Sequence, residues 1–377
     1  MKLCFILEYY HPHTGGAEYL FKNLTEGLCR AGHSVTVLTR RIAGTAPIET
    51  LNGVRIVRAR TINRYLFTFL SIPRALALTK DCDIVHTTTY NGAFPAWLAA
   101  KWRRIPAVIT VLEVWIDQWR KLTEMSAASA AAHNLLEKMI YRLKFDFYIA
   151  ISQYTARQLE AAGVETAATR TIYHGFDYDD FRAERYDGVH IREKYGLQDA
   201  FLCFSWGRPG VSKGHEYLIQ AVPRIVEKIP HARFLLMLSA RETHLRRYQY
   251  LKRLIEKLDI GKWISLIDPA PRGELGHFLK AADCVIIPSV AEGFGYAVLE
   301  ACAMGRPVVA SDTTSIPEVI GGRYVLVEPK NPEAIAAGVV SVFQNKYTTS
   351  ALKIFPWETT VSEYAAIYTK IVTRPGR

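Results

Sequence analysis

The sequence predicts an α/β chain made of two doubly wound parallel sheets. Three observations carry this. Short apolar runs alternate with helical stretches from end to end. The runs fall into two series separated by the polar stretch Tyr178 to Asp187. The chain has 377 residues, more than a single hydrophobic core usually organises.

In the first series, Lys2 to Leu7, Val35 to Thr39, Ile84 to Thr87, Val108 to Leu112 and Tyr148 to Ser152 read as strands. Glu18 to Ala31 reads as a helix closed by Gly32, and Met125 to Ala132, rich in Ala and Ser, as a loop or helix. The second series comprises Phe201 to Trp206, Arg233 to Leu238, Ile264 to Ile267, Cys284 to Pro288 and Val308 to Ser311. Val361, Tyr364, Ala365, Tyr368 and Ile371 recur at helical spacing, which predicts an amphipathic helix packed on the body of the protein. The expected division is an N-terminal domain over 1–178, a second over 179–355, and a C-terminal helix over 356–377 that returns to the N-terminal domain.

Composition narrows the function. With 49% hydrophobic and 22% charged residues, the chain is not of the disordered class. No apolar run approaches bilayer-spanning length. Leu3 to Leu7, ended by Glu8, is too short for a signal-peptide core. The six cysteines lie far apart with no metal or redox spacing, so reduced thiols, no bound metal and a cytoplasmic setting are expected.

The net charge of +11 asks for a partner. Between Thr50 and Lys80 the chain carries Arg55, Arg58, Arg60, Arg64, Arg74 and Lys80 and no acid, interleaved with Tyr65, Leu66, Phe67, Phe69 and Leu70. That mixture suits an anionic membrane surface and equally a solvated helix face. No nucleic-acid-binding module is present, and no nucleic acid is expected as a partner.

The chemistry concentrates at turns that follow strands. Cys284 to Ser289 leads into Glu292-Gly293-Phe294-Gly295 and then an apolar helix containing Glu300. Strand, glycine turn and helix place free N–H groups and a positive dipole end where a phosphate can bind. At the helical rise the two carboxylates can stand about 10 Å apart, enough to hold hydroxyls on both sides of a diphosphate. A glutamate pair alone is usually a loop and a solvated helix face, so other pieces have to converge on it. Phe201 to Trp206 leads into Gly207 to Gly214, where Arg208 and Lys213 can contact phosphate oxygens. The spacing is not that of a P-loop. After the first strand, Gly15 and Gly16 open another helix at a place suited to close backbone approach. For two glycines alone, a plain tight turn is the default.

These elements, in this order, resemble the retaining glycosyltransferases of family 4, the "glycosyl transferases group 1" proteins of GT-B fold. The matching segments are Gly15 to Glu18, Tyr173 to Asp177, Gly207-Arg208 with Lys213-Gly214, Glu292 to Glu300, and Gly305 to Ala310. The resemblance implies two Rossmann-like domains facing an interdomain cleft. It implies that Arg208 and Lys213 hold the donor diphosphate and stabilise the leaving nucleoside diphosphate. Glu292 would face the transferred sugar, Gly293, Phe294 and Gly295 would contact the sugar or distal phosphate, and Glu300 would hold the ribose. Gly16 would let the backbone close on the phosphates. The substrate is then a nucleoside diphosphate sugar, with no cofactor and no metal. Because the basic-aromatic segment Arg55 to Leu70 lies in the half that should bind the acceptor, a lipid-linked or envelope glycan at the cytoplasmic face of a membrane is expected, with a soluble acceptor as the alternative.

One position departs from the pattern. Many relatives carry a His at the end of the strand that here finishes at Leu112. Glu113 or His86 could take its place on the acceptor side, or the acceptor chemistry is altered. Two rival readings follow: a non-catalytic protein that binds nucleotide sugars or membranes, and a sugar-nucleotide epimerase. His174 and Gly175 form the turn between the domains, with Gly175 expected there for its backbone angles.

Overall fold

In the computed structural model, which describes residues 1–241 and 244–373, the chain divides into two compact units. The first comprises Met1–Trp119, Ser126–Phe176 and the segment from Phe355 onward. The second comprises Asp177–Ile354 together with Arg120–Met125. Among the described residues, no helix is long and apolar enough to cross a membrane.

The first unit is built on strands β1 (Lys2–Ile6), β2 (Ser34–Arg40), β3 (Ile48–Leu51), β4 (Val54–Ala59), β5 (Ile84–Thr88), β6 (Ala107–Val111), β7 (Phe147–Ala150) and β8 (Thr169–Thr171). They lie in the order β3-β4-β2-β1-β5-β6-β7-β8, parallel throughout except for the antiparallel β3–β4 pair. Both faces are covered. Leu3, Phe5 and Leu7 enter one apolar cluster, and Cys4 and Ile6 enter the other, as the two-residue period of a strand requires. The first face is closed by helices Gly16–Arg30 and Trp357–Val372, which bring Leu20, Phe21 and Leu24 against Tyr364 and Tyr368. They approach closely at Gly27, where an added Cβ would lie 2.4 Å from a Val361 methyl.

The second unit holds β9 (Phe201–Gly207), β10 (Ala232–Leu238), β11 (Ile264–Ile267), β12 (Cys284–Ile287), β13 (Val308–Ser311), β14 (Gly322–Val327) and β15 (Thr348–Ser350). Their order is β11-β10-β9-β12-β13-β14-β15, with only β15 antiparallel to its neighbour. Strand order reverses direction between β9 and β12, and in the first sheet between β1 and β5. Ligands of open parallel sheets bind beyond the carboxyl ends of strands at such a point.

Several expectations need correction. His86 does not reach the end of its strand. It is fully buried in the middle of β5, stacked on Phe5 at 4.8 Å beneath helix Trp357–Val372. The Tyr368 hydroxyl is hydrogen-bonded to Nδ1 (2.6 Å), and Nε2 is 2.9 Å from the Thr110 hydroxyl, itself 3.0 Å from the Tyr364 hydroxyl. The residue is a satisfied core histidine, not an acceptor-side group. Gly175 has no left-handed backbone; a Cβ there would sit 2.3 Å from the Trp357 ring, so side-chain space decides the residue. The basic segment is not one helix face either. Arg58 lies in β4, buried and paired with Glu49 (2.6 Å), and Arg64 pairs with Glu8 (2.9 Å). Ala127–Arg142 is a helix, capped by the Ser126 side chain.

Burial pushes the His86 pKa down to about 3, against about 6.5 in an unfolded chain. The unfolded state therefore takes up this proton first as pH falls. Stability is fully present above about pH 6.5 and is lost progressively towards pH 3; buried His174 and His215 act in the same direction. Denaturant melts should show a less stable protein at pH 5 than at pH 7. At pH 7, Tyr368→Phe, which leaves His86 Nδ1 without its partner, should cost about 1–3 kcal/mol. Unchanged melts in both comparisons would contradict the buried neutral histidine.

Candidate active site

The loops that follow β9 and β12 meet at the reversal point of the second sheet. Val290 and Ala291 N–H both donate to the Ser212 carbonyl, at 2.7 and 3.2 Å. Gly214 lies against the end of β12: its φ is +64°, and a Cβ there would be 2.1 Å from the Pro288 carbonyl oxygen. Glycine is needed here on both counts. The result is a direct ion pair, Lys213 Nζ to Glu292 Oε1 at 2.6 Å, between residues 79 apart in sequence.

Glu292 is held from several sides. The Ser289 hydroxyl donates to the same Oε1 at 2.7 Å, and the Glu292 N–H donates to the Thr314 hydroxyl at 2.9 Å. Oε2 has no hydrogen bond among the described residues. The Ser315 hydroxyl bridges the carbonyls of Glu292 and Phe294, at 2.9 and 3.0 Å. With those carbonyls engaged, the turn is fixed at the start of helix Tyr296–Ala303, whose N-cap Gly295 adopts φ +104°. The N–H groups of Gly293 and Gly295 have no acceptor among the described residues. Phe294 is buried and stacks edge-on against Tyr296. Glu300 is also buried, one turn into the helix.

The structure thus brings Lys213, Glu292, Gly293, Phe294 and Gly295 together around one turn, with Glu300 on the helix it opens. Arg208 lies on the same β9 loop, exposed, and its side chain has no partner among the described residues. Behind Lys213, His215 begins helix His215–Lys228. Burial first, and the charges of Lys213 and Arg247 second, push its pKa down to about 3, so it adds no third cation. Arg247 is drawn to Glu216 (2.5 Å) and Glu124 (3.6 Å), anchoring the start of that helix. Among the described residues no cluster of His, Cys, Asp and Glu has the make-up of a metal site.

In the first unit, Gly16 is the first residue of its helix, after an extended Gly15. Leu112 packs against the core, and Glu113 beside it is half-buried. The polar group at the reversal point of this sheet is one that sequence reasoning passed over. Glu8 follows β1, accepts from Asn91 Nδ2 at 2.7 Å just beyond β5, and pairs with Arg64. Ser289, Thr314 and Ser315 were also missed. The available signal was position alone, since each follows the carboxyl end of an apolar strand.

Comparison with known proteins agrees with this arrangement. The family described as "Glycosyltransferase Family 4" matches residues 14–180, and "Glycosyl transferases group 1" matches residues 200–345. The chain belongs to family 4 of the glycosyltransferases and is a glycosyltransferase with two Rossmann-like α/β units. It is 27% identical to an uncharacterized glycosyltransferase of Methanocaldococcus jannaschii, with 100% of both chains covered. It is 24% identical to D-inositol 3-phosphate glycosyltransferase of Corynebacterium jeikeium, over 95% of this chain and 92% of that one. Among solved structures it resembles Anabaena HepE in complex with UDP-glucose, with a TM-score of 0.75 and 18% identity over 98% of this chain and 100% of that one. At that identity the likeness concerns the fold.

Gly214→Ala should damage the site without touching a charged group. A side chain at that φ costs on the order of 1–3 kcal/mol, and relief of the clash must part the Lys213 loop from β12. Differential scanning calorimetry should show a lower Tm, and a glycosyl-transfer assay a lower rate. Wild-type values in both would refute the role given to this contact.

Proposed function

We propose that the protein transfers a sugar from a nucleoside diphosphate sugar, of the UDP-hexose type, to an acceptor hydroxyl with retention of anomeric configuration and without a metal ion. The observation that carries the reading is the Lys213–Glu292 pair at the strand-order reversal of the second sheet. A lysine ammonium has three donors, so Lys213 can keep Glu292 and still bind diphosphate oxygens. The turn amides of Gly293 and Gly295 and the exposed Arg208 guanidinium add donors for the same negative charge. These charges take the part a divalent cation would play in stabilising a leaving diphosphate. Glu292 Oε2 is available to a hydroxyl of the transferred sugar, and Glu300 is assigned to the ribose.

In the proposed reaction the bond from the anomeric carbon to the phosphate oxygen breaks. A bond to the acceptor oxygen forms on the same face, and the acceptor proton passes to the departing phosphate oxygen. Glu8 and Glu113 are the acceptor-side carboxylates of the first unit. The acceptor is a lipid-linked or envelope glycan, with the protein peripheral at the cytoplasmic face of a membrane. The UDP-glucose bound by HepE supports the donor class.

Lys213→Ala should lower kcat by about 10²-fold or more, because its charge matters most as the diphosphate leaves. Radiolabel transfer from a panel of UDP-sugars measures it. Undiminished turnover in that variant would sink the assignment. Donor binding by the wild type without transfer or hydrolysis would favour the non-catalytic reading, and an epimerised donor would favour the epimerase.

A further inference from the structure

We propose that the first unit holds a binding pocket for the phosphate headgroup of a lipid, at the carboxyl ends of β2 and β4. The inference rests on the membrane-associated acceptor proposed above and gives it a site.

The two parallel strands end side by side, with Arg40 in register with Ala59. The next residues are Arg41 and Arg60. The Arg41 N–H donates to the Ala59 carbonyl at 2.8 Å, which fixes the two exits together. They open into a pocket of about 540 Å³ whose lining includes Arg41, Ile42, Arg60, Thr61, Ile62 and Leu70. The neighbouring loop belongs to Glu8, whose carbonyl accepts from the Arg40 N–H at 3.1 Å. The pocket therefore adjoins the reversal point of the first sheet.

Charge and burial indicate what it takes. Arg58 and Arg64 nearby each have a glutamate partner. Arg41 and Arg60 have no carboxylate partner among the described residues; Arg41 Nε donates only to the Thr45 carbonyl, at 3.1 Å. Two unneutralised guanidiniums lining one pocket repel each other until an anion enters, and a phosphate can accept from both. Thr61 Oγ1 is buried and has no hydrogen-bond partner among the described residues. Such a hydroxyl is costly to leave unpaired, and Thr61 lines this pocket.

The rim separates a lipid from free phosphate. Ile62 is 86% exposed, Phe69 62% and Leu70 46%, within ten residues of Arg60. Water does not favour large apolar side chains held in a cluster. They suit the acyl boundary of a leaflet, with the arginines at headgroup level.

Vesicle co-sedimentation tests this, with pure phosphatidylcholine compared against an equimolar mixture with phosphatidylglycerol. The wild type should prefer the mixture. Arg41→Gln/Arg60→Gln should weaken that binding by about tenfold or more, whereas Lys252→Gln/Arg253→Gln, which removes equal charge from an exposed helix of the second unit, should change it about twofold or less. Ile62→Ser/Leu70→Ser should weaken it as well. UDP affinity, measured in parallel, should be unchanged in all three variants. Equal losses in the two charge variants would reduce the effect to general attraction and overturn the pocket. Displacement by inorganic phosphate, with no loss in Ile62→Ser/Leu70→Ser, would make it a free-phosphate site and overturn the lipid assignment. No preference for the anionic vesicles would also overturn it, while transfer to a soluble acceptor would leave the glycosyltransferase reading intact. Failure to bind UDP in the wild type would instead strike at the donor site.

Discussion

The candidate active site depends on one close approach, that of Gly214 to the end of β12. No side chain fits between the Gly214 Cα and the Pro288 carbonyl. The contact carries the Lys213 loop across the sheet until its ammonium meets Glu292. The ion pair is well supported because Ser289, Thr314 and Ser315 hold the carboxylate and its turn in place. Parallel pairing of β9 with β12 makes the meeting possible, since it sets both loops at the same edge. The chemistry follows from topology first and from side chains second.

The two units use their reversal points differently. In the second, the point gathers cations and free amides suited to a polyanion. In the first, Glu8, Asn91 and Arg64 gather into a neutralised polar group, and the unpaired arginines stand one strand pair away. The proposed reaction would use this asymmetry, with strong positive charge at the leaving group and milder polarity where a hydroxyl must lie.

Much of this was legible in the sequence because strands buried on both faces read as continuous apolar runs. β1, β5, β6, β9, β10, β12 and β13 are of that kind. The strands that escaped notice are mostly edge or near-edge strands. β3, β8 and β15 have few or no buried residues, and β14 is mostly half-covered. β4 was hidden by its arginines: Arg58 looks like a surface charge until Glu49 on the adjacent hairpin strand neutralises it. Lys213 and Glu292 were legible because glycines at fixed offsets mark turns. The hydroxyls around them were not, since serine and threonine carry no periodicity. His86 misled because a strand's sequence does not say which of its faces a helix from the far end of the chain will cover.

That helix bears on the order in which the molecule is made. The Tyr368–His86 hydrogen bond joins residues 282 apart, and Tyr364, Tyr368 and Ile371 fill the same apolar face as Leu3 and Phe5. While the chain is still on the ribosome, the first unit has every strand of its sheet but lacks part of its core. The second unit, by contrast, needs nothing beyond Ile354. Domains usually mature in the order of their synthesis. Here the half that emerges first must wait, one apolar face uncovered, until the half that follows it has been made.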